Sequence, residues 1–199
     1  KTHTLFNIKY QLEESKGAGE QGYSVRCVFV EGEFRKKTSF EYLHGQILEG
    51  IGLEDVKATV SDFLKRHATE DIEKLLKTRF YHSNIAKALH QLGVGIKDVT
   101  LWKWLCGGSL SAADLSTMNL TKNLDSTDEM VSILVGLSKM FMESGIHLLF
   151  LLDELEGLNN VLDDDAQRSY HDAFRRLSDD DNDSAGFIVS IFAANEKDI

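Results

Sequence analysis

One short run constrains this chain more than any other feature: Ile146-His147-Leu148-Leu149-Phe150-Leu151-Leu152, ending on Asp153-Glu154. An apolar run without alternation is a strand buried on both faces, and such strands belong to parallel sheets covered by helices. Open α/β folds gather their ligand-binding groups at the carboxyl ends of those strands. Two acids at that end are therefore a candidate site, although a strand running into a charged turn has the same pattern.

Two more stretches read as buried strands: Val25–Val30 within Tyr23–Phe34, and Phe187–Ala194, which ends at Asn195. Helical spacing separates them. Thr2–Ser15 has apolar residues at Leu5, Phe6, Ile8, Tyr10 and Leu12 before the Gly17-Ala18-Gly19 break. In Asp164–Leu177, Tyr170, Ala173, Phe174 and Leu177 form one apolar face. Ser39–Gly145 holds no convincing strand and divides into helices near Phe40–Gly50, Asp55–His67, Glu70–Lys77, Asn84–Leu92, Lys97–Cys106, Ala112–Met118 and Asp128–Ser144.

Strands separated by helices imply an α/β fold whose sheet holds Val25–Val30, Leu148–Leu152 and Ile188–Ala193, all parallel. The organisation expected is a first core part over 1–38, a helical insertion over 39–145, and the continued core over 146–199. The insertion should pack partly as its own lobe, with Trp102 or Trp104 buried in it.

Composition removes some classes of function. The chain has 199 residues with a net charge of −10, and no apolar stretch is long enough to cross a bilayer. No signal peptide opens it, so a cytoplasmic location is expected. Cys27 and Cys106 are far apart and flanked by apolar residues, which reads as two buried free thiols. Asp163-Asp164-Asp165 and Asp179-Asp180-Asp181 read as solvated tips. So acidic a segment grips phosphates poorly, which puts any nucleic-acid contact in regions outside it. Proline is absent altogether.

Three segments carry candidate chemistry. In a P-loop NTPase, the first acid of a strand-end pair, here Asp153, holds magnesium, and the second, here Glu154, polarises the attacking water. Lys1-Thr2 matches the end of G-x-x-x-x-G-K-[ST], whose Lys reaches the β/γ phosphates and whose hydroxyl binds magnesium. In isolation a terminal Lys-Thr carries no meaning, but here it opens a helix followed by a loop and a buried strand. Asn195 ends a strand about forty residues after the acid pair, where an amide beside the acid-bearing strand can orient water.

This order of Lys-Thr-helix, strand, hydrophobic-Asp-Glu and strand-Asn resembles the AAA+ branch of P-loop ATPases, including the origin-recognition type. The resemblance implies that Asp153-Glu154 is a Walker B pair and Asn195 a sensor 1 residue. A narrower one lies in Leu101-Trp102-Lys103-Trp104-Leu105-Cys106-Gly107-Gly108 with Leu110–Leu115, in Leu151–Leu158, and in Tyr170…Phe174-Arg175-Arg176-Leu177. These are similar to the ATP-binding proteins of bacteriophage-exclusion (BREX) defence systems. The phosphate-loop glycines and the region after Ile199, where an arginine finger and lid would follow, are not in this sequence.

The expectation is an AAA+-like P-loop ATPase that uses ATP and Mg2+ to drive assembly or remodelling. Its implied partners are further copies of the chain and, through regions outside it, nucleic acid or defence-system proteins. The rival is a switch or scaffold that binds ATP with negligible turnover. His44, His67, His82, His90, His147 and His171 show no ligand spacing. Trp102 and Trp104 read as one core anchor and one interface residue, and Arg175-Arg176 as a solvated helix face.

Overall fold

The computed structural model describes residues 2–14, 24–31, 40–153, 164–178 and 187–190. They form α1 (Thr2–Glu14), β1 (Ser24–Glu31), α2 (Phe40–Ile51), α3 (Leu53–Arg66), α4 (Ile72–Phe80), α5 (Ser83–Gly93), α6 (Asp98–Leu105), α7 (Ala112–Thr117), α8 (Thr127–Glu143), β2 (Ile146–Asp153), α9 (Asp164–Ser178) and β3 (Phe187–Ser190). Among the described residues, 40–145 are helices and turns with no strand, as their spacing predicts.

The three strands make one sheet in the order β1-β2-β3. β1 pairs parallel with β2 from Ser24↔Ile146 to Glu31↔Asp153, and β2 pairs parallel with β3 from Leu149↔Phe187 to Leu152↔Ser190. The α/β reading holds, with all three expected strands side by side. Residues 191–193 of the last expected strand lie outside the described residues.

Side chains alternate across the sheet. Val28, Val30, Leu148, Phe150 and Leu152 join one large core with α2, α8 and α9, while Cys27, Leu149 and Leu151 pack with Leu5 of α1 on the other face. The sheet therefore lies between two helical layers, which is why β2 is apolar at nearly every position.

The long helical stretch does two jobs. Its first and last helices lie on the sheet: a β-carbon on Gly50 of α2 would meet Val28 Cγ1 at 2.7 Å, so glycine sets that approach. Helices α3 to α6 then stack outward, yet Val56, Phe63, Leu76, Leu89 and Trp104 belong to the same core cluster as Val28 and Phe150. Hydrophobic burial is thus shared between sheet and helices without a seam.

Local chemistry sets the helix ends. Asp71, Ser111 and Ser126 cap α4, α7 and α8 by accepting the backbone N–H of Lys74, Asp114 and Glu129. α6 ends in a Schellman motif: Gly107 N–H donates to Trp104 O at 3.0 Å, Gly108 N–H donates to Lys103 O at 2.8 Å, and Gly107 has φ 90°. α5 ends the same way at Gly95 and α7 at Asn119, both with positive φ.

Candidate functional site

The carboxyl edge of the sheet is the end to which the sequence assigns chemistry. β2 is the middle strand, and its last residue is Asp153, in register with Glu31 at the end of β1. On the other side, Ser190 of β3 stands opposite Leu152, one position before Asp153. β3 therefore runs beside the acid-bearing strand toward the same edge, as the reading of Asn195 requires. Thr2 is the first residue of α1, the helix covering the opposite face from α8 and α9.

Of the five site residues, Thr2 and Asp153 are placed by backbone only, and Lys1, Glu154 and Asn195 lie outside the described residues. What the fold fixes for Asp153 is a rigid base. Leu148, Phe150, Leu151 and Leu152 are each at most 1% exposed, so the strand delivering this carboxylate is clamped on both faces.

The other residues singled out in the sequence fall into definite places. Among the described residues, no three His, Cys, Asp or Glu side chains come together as a metal-ligand group. His44 is fully buried and donates Nε2–H to Leu105 O at 2.7 Å, and burial pulls its pKa down from 6.5 to about 4. His67 Nδ1 lies 2.5 Å from Glu70 Oε1 on the surface. Cys27 is buried; Cys106 is only half-buried, with its thiol pushed up to about 12 by burial and then by Glu49.

Trp104 is the core anchor of its pair, 1% exposed, with its indole N–H donating to Lys122 O at 3.2 Å. Trp102 is half-buried at the edge of the core. Arg175 and Arg176 are exposed on the last turn of α9, and Arg176 pairs with Asp128 of α8. Tyr170 of α9 meets Phe40 of α2 edge-on at 5.7 Å, fixing α9 over the sheet.

The sequence reading gave no role to the turn after α5. There, Val94, Ile96 and Val99 are all exposed, at 52%, 46% and 76%. The available signal was a set of branched aliphatics crowded around Gly95, where a solvated turn is normally polar.

No protein-family model matches the chain, and neither does any curated protein or solved structure.

Proposed function

We propose that this chain is the central part of an AAA+-like P-loop ATPase that binds and hydrolyses ATP to drive assembly or remodelling. The observation that carries the reading is the middle position of β2: the strand that ends at Asp153 has a parallel neighbour on each side.

The placement of the helices gives independent support. Crossovers between parallel strands are right-handed in nearly all proteins. α8 and α9 lie on one face and α1 on the other, while the strand order advances from β1 to β3. A parallel strand leading into α1 through a right-handed crossover would therefore stand on the β3 side of β1. In this reading such a strand would bring the start of α1, at Thr2, to the edge where β2 and β3 end.

The donor set fits magnesium: a threonine hydroxyl and an aspartate carboxylate are hard oxygen ligands, the kind this ion takes together with water and phosphate oxygens. Thr2 and Asp153 would hold it, and it would supply charge neutralisation at the phosphates. In this reading Lys1 binds the β/γ phosphates, Glu154 accepts a proton from the attacking water, and Asn195 orients that water. Partners are further copies of the chain, with nucleic acid or defence-system proteins reached through other regions.

The test is Glu154→Gln, made in a protein carrying a Gly-x-x-x-x-Gly segment directly before Lys1. ATP affinity should stay near the parent's while steady-state turnover falls about 10²-fold or more, the scale of losing a positioned base. Unchanged turnover would leave the chain as an ATP-binding switch or scaffold.

A further inference from the structure

We propose that Glu31, the last residue of β1, is a second carboxylate of the magnesium site that the ATPase reading builds on Asp153 and Thr2. The proposal rests on that reading and adds to it a residue that the sequence places far from Asp153 and the sheet places beside it.

The ladder between β1 and β2 carries the argument. It runs without a break from Ser24↔Ile146 to Glu31↔Asp153. Residues two apart along a strand share a face of the sheet. Cys27, Leu149 and Leu151 pack with Leu5 of α1, and Phe29 packs against the same cluster. Glu31 and Asp153 stand two positions beyond Phe29 and Leu151, so the backbone sets both on the α1 face, at one rung. Neighbouring strands lie about 4.8 Å apart. Thr2 is the first residue of the helix that covers this face.

Both strands change character at that rung. On the α1 face β1 reads Val25, Cys27, Phe29 and then Glu31, while β2 reads His147, Leu149, Leu151 and then Asp153. Acidic residues are depleted in strands, and like charges directly opposite each other destabilise the pairing. A bare sheet gains nothing from two acids at one rung. Magnesium reverses the sign: it takes one or two carboxylates together with waters and substrate phosphates, and two carboxylates match its charge.

The base beneath the pair is firm. Val30 and Leu152, one position earlier on the other face, are 4% and 1% exposed, and Leu151 is completely buried. Strands clamped on both faces hold their last residues at a fixed separation. Little ordering then remains to be done when the ion binds.

The experiment is isothermal titration with ATP of the whole chain carrying the Gly-x-x-x-x-Gly segment before Lys1, with magnesium present and with the metal chelated. Salt of about 0.15 M screens charges on distant parts of the surface. The parent should bind ATP more tightly with magnesium. Glu31→Gln should lose about tenfold or more of that affinity and barely change with the metal chelated. Glu49→Gln, at an exposed position near the other end of α2, should match the parent in both conditions. Thermal melting separates a metal ligand from a structural residue. With the metal chelated, Glu31→Gln should melt at or above the parent, because a like-charge pair is relieved. With magnesium and ATP its rise in melting temperature should be smaller than the parent's. The proposal is overturned if Glu31→Gln keeps the parent's affinity with magnesium, loses equally in both conditions, or melts below the parent with the metal chelated. A parent that binds no ATP would remove the ATPase reading and this role with it. Magnesium-dependent binding that is the same in the parent and in Glu31→Gln would remove Glu31 alone.

Discussion

His44 and Leu105 are joined by a single buried hydrogen bond, Nε2–H to carbonyl at 2.7 Å, that ties α2 on the sheet to the end of α6. A carbonyl only accepts, so the ring must hold its proton on Nε2. Nδ1 is then a buried lone pair, and it has no partner. Protonating it would place a charge in the core with nothing to receive its hydrogen.

A pH dependence follows from that geometry. The pKa of His44 is lowered from 6.5 to about 4 in the fold, so below pH 6.5 the unfolded chain takes up the proton first. Stability is therefore complete above about pH 6.5 and declines as pH falls to about 4, by about 3 kcal/mol from this group. Urea unfolding at pH 7, 5.5 and 4.5 should show the decline. His44→Gln, which keeps a donor but cannot take up the proton, should show a flatter one; parallel curves for the two proteins would assign the acid sensitivity to other groups.

Gly136 tests how closely α4 and α8 approach. A β-carbon there would lie 2.2 Å from Phe80 Cε1, well inside van der Waals contact. Gly136→Ala gains about 1 kcal/mol of helix propensity, yet overpacking a buried ring costs about 1–3 kcal/mol, and this overlap is severe. A net loss near 1–2 kcal/mol is expected. Adding Phe80→Leu should make the two effects non-additive in a double-mutant cycle.

At Gly107 the argument is backbone conformation. With φ at 90° and Glu41 Cγ only 2.8 Å from a built β-carbon, Gly107→Ala meets strain twice. Left-handed backbone alone costs a side chain about 1–2 kcal/mol. A loss of at least that size should appear in chemical denaturation. Gly95→Ala has similar φ but much more open surroundings, the nearest atom being Lys57 Nζ at 4.0 Å, and should lose less.

For the proposed nucleotide site, Asp153→Ala should act differently from the Glu154 variant. A lost magnesium ligand weakens the ground state, so affinity for ATP should drop with magnesium present and barely change with the metal chelated. Isothermal titration under both conditions reads the difference. An equal effect in the two would remove Asp153 from the metal site.

Much of the fold was legible in the sequence because several helices carry a local stop signal. Glycine or asparagine in left-handed turns at Gly95, Gly107 and Asn119 ends helices whose apolar spacing is otherwise plain. β2 was readable for the opposite reason: burial on both faces leaves a continuous apolar run. The layer each helix joins was not legible. Phe40 and Met130 are apolar like Leu76 and Leu89, and nothing local says that α2 and α8 cover the sheet while α4 and α5 do not. His44 was also illegible as a core group, since its partner, Leu105 O, is backbone and 61 residues away. For the candidate site, the described residues fix only the strand that ends at Asp153 and the helix that starts at Thr2; Lys1, Glu154 and Asn195 lie outside them.

The β1–β2 ladder has a consequence for how the chain folds. Ser24 pairs with Ile146, so every rung joins residues 122 positions apart. Closing such a loop costs about 2 kcal/mol more than closing a loop of about 12 residues, before any rung rewards it. Helices form on far shorter timescales from local contacts. The intervening helices, by collapsing first, shorten the distance the two strands must cross, and the sheet assembles late on a surface they have prepared. Substitutions in the core of α3 to α5 should then slow refolding, and those within β1 should chiefly speed unfolding. On this account the edge that holds Asp153 should acquire its shape after the helices of residues 40–145.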